Sequence, residues 1–315
     1  MKTKFYLLLF FFSLEIAFLG AQTNEISLSE LKVLYHDYYL ASAVDSILWT
    51  SKGNCDPGVI PEDIYLKAEK RINFFRLVNR VPTIKINADK QKEAQAAAFL
   101  MMKNNYLTHH PAKTAKCYSK AAADGAAHSC LAITDYNYFG STAFLTGFVE
   151  DSGDGNFFVG HRRWILYSNA KAFSYGATNS SEALYCSEFR TDSINNEFMA
   201  YPWNGYVPYN LIYSKWSFTI PESHAVDFSQ MKIVISDKSG KPLPFELYPS
   251  KDGYPDKTIS WKMTSLFTKE EEEQRQNKLV EKGFIGSEIR VQIYNVMVDK
   301  KTKSYRYTIK ITQLE

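Results

Sequence analysis

No basic stripe with interleaved stacking aromatics runs through these 315 residues, and the net charge is only +3. Nucleic acid is therefore not expected as a partner. Beyond the first residues no stretch is apolar enough to cross a bilayer, so no transmembrane span is expected. The four cysteines include no close Cys-x-x-Cys pair, which argues against a zinc framework. No serine or cysteine sits in a recognisable nucleophile elbow, so nothing supports covalent catalysis. What the chain does have is aromatic bulk, with 21 tyrosines and 21 phenylalanines. That suits packed cores, β-rich structure and surfaces that face carbohydrate or lipid.

The first residues read as a targeting segment. Lys2 and Lys4 give a basic start, Phe5 to Leu14 is almost wholly apolar, and Gly20-Ala21 offers a small-residue cleavage site before Gln22. Glu15 breaks the apolar run, and no cysteine follows the cleavage site to carry a lipid. The expectation is an exported chain resident in the periplasm, on the cell surface or released. Roughly 290 mature residues suggest two domains of ordinary size. Cys55, Cys117, Cys130 and Cys186 are an even number for an exported protein, so two disulfides are expected, with three connectivities open.

Along the chain, apolar residues recur at helical spacing from Ile26 to Thr50, with Ser27 or Ser29 as cap. Pro61-Glu62-Asp63 opens a second helix, proline first and acids in the opening turn. Ala88 to Tyr106 is alanine-rich and predicts a helix against which another layer packs closely. Further short helices are expected over Cys117 to Ala127 and Ser141 to Glu150. The acidic glycine loop Asp151 to Gly155 faintly resembles a calcium loop, but Arg162 stands at the twelfth position, where an EF-hand needs glutamate. It then leads into Asn156 to Ala177, where His161 follows Gly160, Trp164-Ile165-Leu166 anchors a turn, and Phe173 to Ala177 reads as a strand. Leu184 to Phe189 and Phe198 to Tyr201 also read as strands. After about Tyr209 come short alternating segments with turn signals between them, interrupted by a charged helical insertion from Leu266 to Gly283. This pattern suits a small β-sandwich.

Four pieces, in order, carry a resemblance to a known family: Arg71-Ile72-Asn73-Phe74-Phe75-Arg76, Ala94-Gln95-Ala96-Ala97-Ala98, Leu107-Thr108-His109, and Gly160-His161-Arg162-Arg163-Trp164-Ile165-Leu166. From about Glu69 to Tyr201 the chain resembles the CAP superfamily, or SCP domain, which includes cysteine-rich secretory proteins, antigen 5 and pathogenesis-related 1 proteins. It looks most like bacterial members with an added C-terminal β domain. The resemblance implies an α+β fold, an α-β-α sandwich with helices on both faces of a largely antiparallel sheet. The expected organisation is a signal peptide over 1–21, an N-terminal helical extension over 22–60, a CAP/SCP-like domain over 61–208 and a C-terminal antiparallel β-sandwich over 209–315.

The same resemblance implies a central cleft lined by His109 and His161, with Asp151 as one acid and Glu150 beside it. The family's second acid, in a Gly-Glu-Asn-Ile motif, is absent, because Ser129-Cys130-Leu131 stand there. The family comparison also points to Cys55–Cys117 as one bridge and Cys130–Cys186 as the other. Two imidazoles are able to hold zinc or another divalent metal if a carboxylate closes the site, or else to tie two loops together around a water. The expected function is binding of a small apolar ligand, a glycan or an extracellular protein, with or without that metal. The alternative is a metal-assisted hydrolase, a peptidase, with His109 and His161 as ligands and Asp151 or Glu150 as base.

Overall fold

A computed structural model describes residues 25–134, 145–192, 194, 196–268 and 270–314. The targeting segment at 1–21, and residues 141–144 of the helix expected before Glu150, lie outside the described residues. The first helix, α1 (Leu28–Leu34), is capped by Ser27, whose Oγ accepts from the Glu30 amide at 3.2 Å. It continues through one π turn (Tyr35–Tyr39) and one 3-10 turn (Leu40–Ser42), then stops, well short of the expected Thr50. The stop has a partner: Arg71 donates from Nε to Ser42 Oγ at 2.8 Å and from Nη2 to the Tyr39 carbonyl. That guanidinium also lies 4.2 Å from the Tyr39 ring centroid.

Arg71 belongs to α2 (Glu62–Val78), which begins directly after Pro61 and carries acids in its first turn. Three polar residues of the motif on α2 are buried, and each holds a distant loop. Asn73 exchanges hydrogen bonds with the backbone of Ile84 at 2.8 and 3.0 Å. Arg76, fully buried, donates to the carbonyls of Pro82, Ile165, Tyr167 and Ala170. Burial pulls its guanidinium down to about 9. Strand β1 (Lys85–Ile86) follows, then α3 (Gln91–Asn104), α4 (Lys120–His128), β2 (Ser129–Ile133), α5 (Thr146–Glu150), α6 (Gly160–Ile165), β3 (Ala170–Ala177) and β4 (Ser181–Phe189).

These strands form one sheet in the order β1-β3-β4-β2, parallel between β1 and β3 and antiparallel elsewhere. One face packs on α3 and α4 through Ala94, Ala97, Ala98, Ala126, Leu131 and Ala183. The alanines let the layers close up, and Gly176 shows how far. A Cβ there would lie 2.2 Å from the Gln95 backbone nitrogen. The opposite face, with Phe173, Tyr175 and Leu184, joins a larger core containing Phe74, Phe75, Phe148 and Ile165. Helices therefore cover both faces, the α+β layering the resemblance implied.

The rest of the chain is rich in strands: β5 (Met199–Tyr201), β6 (Gly205–Pro208), β7 (Lys215–Ile220), β8 (Val226–Asp227), β9 (Lys232–Asp237), β10 (Glu246–Leu247), β11 (Lys257–Lys262), β12 (Glu288–Val298) and β13 (Lys301–Thr312), with one α-helix among the described residues, α7 (Arg275–Glu281), inside the charged insertion. They make two sheets, β10-β11-β7-β5 and β6-β13-β12-β8, with β9 also paired to β12. Phe218 of β7 and Tyr305 of β13 meet between them with centroids 5.1 Å apart. Every residue of β7 is buried. Its Ser217 hydroxyl accepts from Arg162 of α6 at 3.1 Å, so this strand also touches the helical layer.

Candidate functional site

The site is built around the turn between α5 and α6. Asp151 ends α5 in a left-handed conformation, φ 55°, and is almost fully buried. Its carboxylate is thereby aimed at the start of α6, where Oδ2 accepts from the amides of His161 (2.9 Å) and Arg162 (3.3 Å). The other oxygen, Oδ1, lies 2.9 Å from His161 Nδ1. A carboxylate only accepts, so Nδ1 carries a proton, and in the neutral ring Nε2 then presents its lone pair. On the opposite side His109 Nδ1 lies 2.8 Å from the Ala126 carbonyl, which fixes the same tautomer by the same reasoning. Neither Nε2 has a partner among the described residues.

Both histidines line one cavity of about 490 Å³, together with Asp151, Phe148, Phe158, Trp164, Tyr254 and the whole of β2. The Phe148 ring lies 5.2 Å from the His161 ring. Gly160 is required at the rim, because a Cβ there would come within 2.6 Å of Phe158 and 2.9 Å of Tyr254. Tyr254 arrives from the β-rich region and is held by Arg163, whose guanidinium donates to the carbonyls of Lys251, Tyr254, Pro255 and Asp256 at 2.7–3.1 Å. Arg162 is buried beneath, donating to the carbonyls of Val149 (2.6 Å) and Glu150 (3.1 Å), with its guanidinium 4.3 Å from the Tyr201 centroid. The two arginines after His161 are thus devoted to holding the site's walls.

Two expectations need correction. Glu150 does not line the cavity. Its carboxylate turns to the other side of the α5 end and pairs with Arg275 of α7 at 2.7 Å, where burial raises its pKa above the ordinary range. Glu150 is the last helical residue of α5 and Asp151 its left-handed cap, so the two side chains leave the backbone in different directions and Asp151 takes the inward one. The second disulfide is also absent. Cys55 and Cys117 are joined, but Cys130 and Cys186 are free and buried. The register of β2 on β4 sets Cys130 opposite Leu184, which leaves Cys186 two residues further on, across a diagonal. Diagonal neighbours sit about 7–8 Å apart, beyond the usual disulfide span of about 4.4–6.8 Å. Burial pushes the Cys186 thiol up to about 12 and raises that of Cys130 as well.

His110 is exposed and outside the cavity, its amide bonded to Thr108 Oγ1. Cys130 lines the cavity, within the Ser129-Cys130-Leu131 stretch to which the resemblance assigned the missing second acid. Among the described residues no group of three His, Cys, Asp or Glu side chains is placed to hold a metal ion. Sequence reasoning missed Phe148, Phe158 and Tyr254 as cavity residues. Phe158 lies in the same stretch as His161, but nothing local marks Tyr254.

By its layering the chain is an α+β protein, helices on both sides of one small sheet, extended by a β-rich region. Residues 70–191 match the family model described as CAP: Cysteine-rich secretory protein family, so that segment of the chain is similar to the CAP superfamily. Among solved structures, an extracellular protein containing a SCP domain from Bacillus anthracis str. Ames is similar at 14% identity, over 42% of this chain and 45% of that one, with a TM-score of 0.30. The chain thus spans under half the length of that protein. CopC from Methylosinus trichosporium OB3b is similar at 14% identity, over 37% of this chain and 91% of that one, with a TM-score of 0.26. At these TM-scores neither likeness bears on the site. No curated protein matches.

Proposed function

We propose that the chain is an exported binding protein whose His109–His161 cleft takes up a small apolar ligand, a glycan or part of an extracellular protein. The observation that carries this is the cavity itself. Its walls are largely aromatic and aliphatic, and two imidazole nitrogens with free lone pairs give it polar anchors. A ligand suited to it offers an apolar group and hydrogen-bond donors. Export is supported by the Cys55–Cys117 bridge, a bond that persists in oxidising compartments. No described helix is long and apolar enough to cross a membrane.

The hydrolase reading asks His109 and His161 to share a divalent ion, with Asp151 or Glu150 as base. Both oxygens of Asp151 are already spent on the His161 ring and on two backbone amides, and Glu150 is turned to Arg275. The donors left are two imidazoles, fewer than the three protein ligands of a catalytic zinc site. The residues do not fit that group.

Trp164 in the cavity wall provides the test. Titration with the apolar fluorophore N-phenyl-1-naphthylamine should show saturable energy transfer from tryptophan, reduced in Trp164→Phe and weakened in the His109→Ala, His161→Ala double variant. Saturable binding that neither variant changes would place the ligand elsewhere and end this reading.

A further inference from the structure

The cavity touches Ser129, Cys130, Leu131, Ala132 and Ile133, every residue of β2. Side chains on a strand alternate between the two faces of the sheet. A hollow over one face would meet every second residue, so a hollow that meets all five runs along the edge of the strand. Among the described residues β2 is an edge strand, paired with β4 alone.

The hydrogen-bond phase of that edge follows from one bond. The Thr134 amide donates to the Ser180 carbonyl at 2.9 Å, and this pair continues the register of β2 on β4. In an antiparallel ladder alternate residues point both backbone groups at the partner strand, and those between point both away. Ala132 and Cys130 therefore face β4, while Leu131 and Ile133 turn their N–H and C=O groups outward, into the cavity. No described backbone or side-chain group bonds to that side of Leu131 or Ile133. The Ser129 hydroxyl, in a residue 5% exposed, is likewise without a partner among the described residues.

We infer that the cleft binds an extended peptide, which adds a strand to the free edge of β2. This rests on the binding reading above and narrows it to one class of ligand. Backbone pairing to Leu131 and Ile133 supplies the register. Alternate side chains of the peptide then fall towards the aromatic wall of Phe148, Phe158 and Trp164, within reach of the imidazole nitrogens. A sterol or a glycan has no repeating amide to match that spacing. A peptide does, and an unpaired, partly apolar edge is the kind of feature that proteins otherwise cover or blunt.

The test uses the full mature chain and short linear peptides selected on it by phage display. The best binder is remade with a single N-methyl group at each position in turn. Strand addition predicts that N-methylation weakens binding about tenfold at alternate positions and leaves the positions between unchanged, since one backbone hydrogen bond is at stake. Ile133→Pro, which removes an outward N–H and leaves the β4 ladder intact, should weaken every selected peptide by a similar factor. Unchanged urea unfolding would show that this variant folds. In amide NMR spectra Leu131 and Ile133 should gain exchange protection when peptide is added. Peptides that depend on His109 and His161 but tolerate Ile133→Pro, with no alternation on N-methylation, overturn strand addition and leave the cleft reading standing. Binders insensitive to both sets of variants overturn both. A selection that yields no cleft-dependent peptide overturns the peptide assignment alone, provided the fluorophore still binds.

Discussion

Replacing Asp151 by asparagine changes one atom and should reverse what His161 presents to the cleft. The carboxylate now accepts three N–H groups: the backbone amides of His161 and Arg162, and His161 Nδ1–H. An asparagine keeps one accepting oxygen. If that oxygen stays on the two amides, its NH₂ faces Nδ1, and two donors cannot meet. The imidazole then moves its proton to Nε2, and the cavity gains a donor where it had an acceptor. A charge-assisted bond contributes about 1.5–3 kcal/mol and its neutral replacement about 1 kcal/mol, so Asp151→Asn should cost about 1–2 kcal/mol of stability. Lys215 adds to the loss, because its ammonium bonds the Asp151 carbonyl at 2.6 Å and is attracted by the carboxylate. Long-range 15N correlation spectra of the histidine rings, recorded at alkaline pH, identify the protonated nitrogen directly. Urea unfolding gives the stability. An Nδ1–H tautomer persisting in the variant would refute the claim that Asp151 sets the ring.

Three further outcomes are expected. Gly176→Ala drives a methyl group into the α3 backbone near Ala94 and Gln95, so it should cost about 3 kcal/mol or more in urea unfolding; a loss under about 1 kcal/mol would mean that the helix and sheet can separate freely. Glu182 is fully buried, and burial raises its carboxyl from the ordinary 4.5 to about 8. The unfolded chain therefore holds fewer protons than the folded one between those values, and stability falls as pH rises towards 8. Between pH 7 and pH 9 that loss is about 1.3 kcal/mol. Glu182→Gln should remove it, and parallel stability–pH curves for parent and variant would contradict the assignment. Reduction of Cys55–Cys117, whose sequence separation is 62, should destabilise the chain by about 4 kcal/mol through freed unfolded-state entropy. Free-thiol counting before reduction should find two reactive groups only after denaturation, because Cys130 and Cys186 are buried.

Much of the fold could be read locally. The Pro61-Glu62-Asp63 start, the alanine run of α3 and the alternation through β7, β9, β11, β12 and β13 each depend on spacing within one segment. The strands β1, β2 and β6 did not declare themselves, being short or directly attached to a helix or turn. β2 in particular begins the residue after α4 ends, and its small residues suit either state. The helical stop at Ser42 was hidden for another reason: the groups that fix it belong to Arg71.

The sequence by itself determined which residue types the site has at hand: a histidine after Gly160, another after Thr108, and an acid ten residues before the first of these. Tertiary structure decided which of two neighbouring acids faces that ring, since one step along a helix end swings Glu150 to Arg275 and leaves Asp151 inside. It also decided that Cys130 and Cys186 stand on a diagonal, that Tyr254 completes the wall, and that β2 pairs with β4 alone among the described residues. Register, edge position and long-range packing are properties of pairs of segments, and a single segment carries no record of its partner's offset.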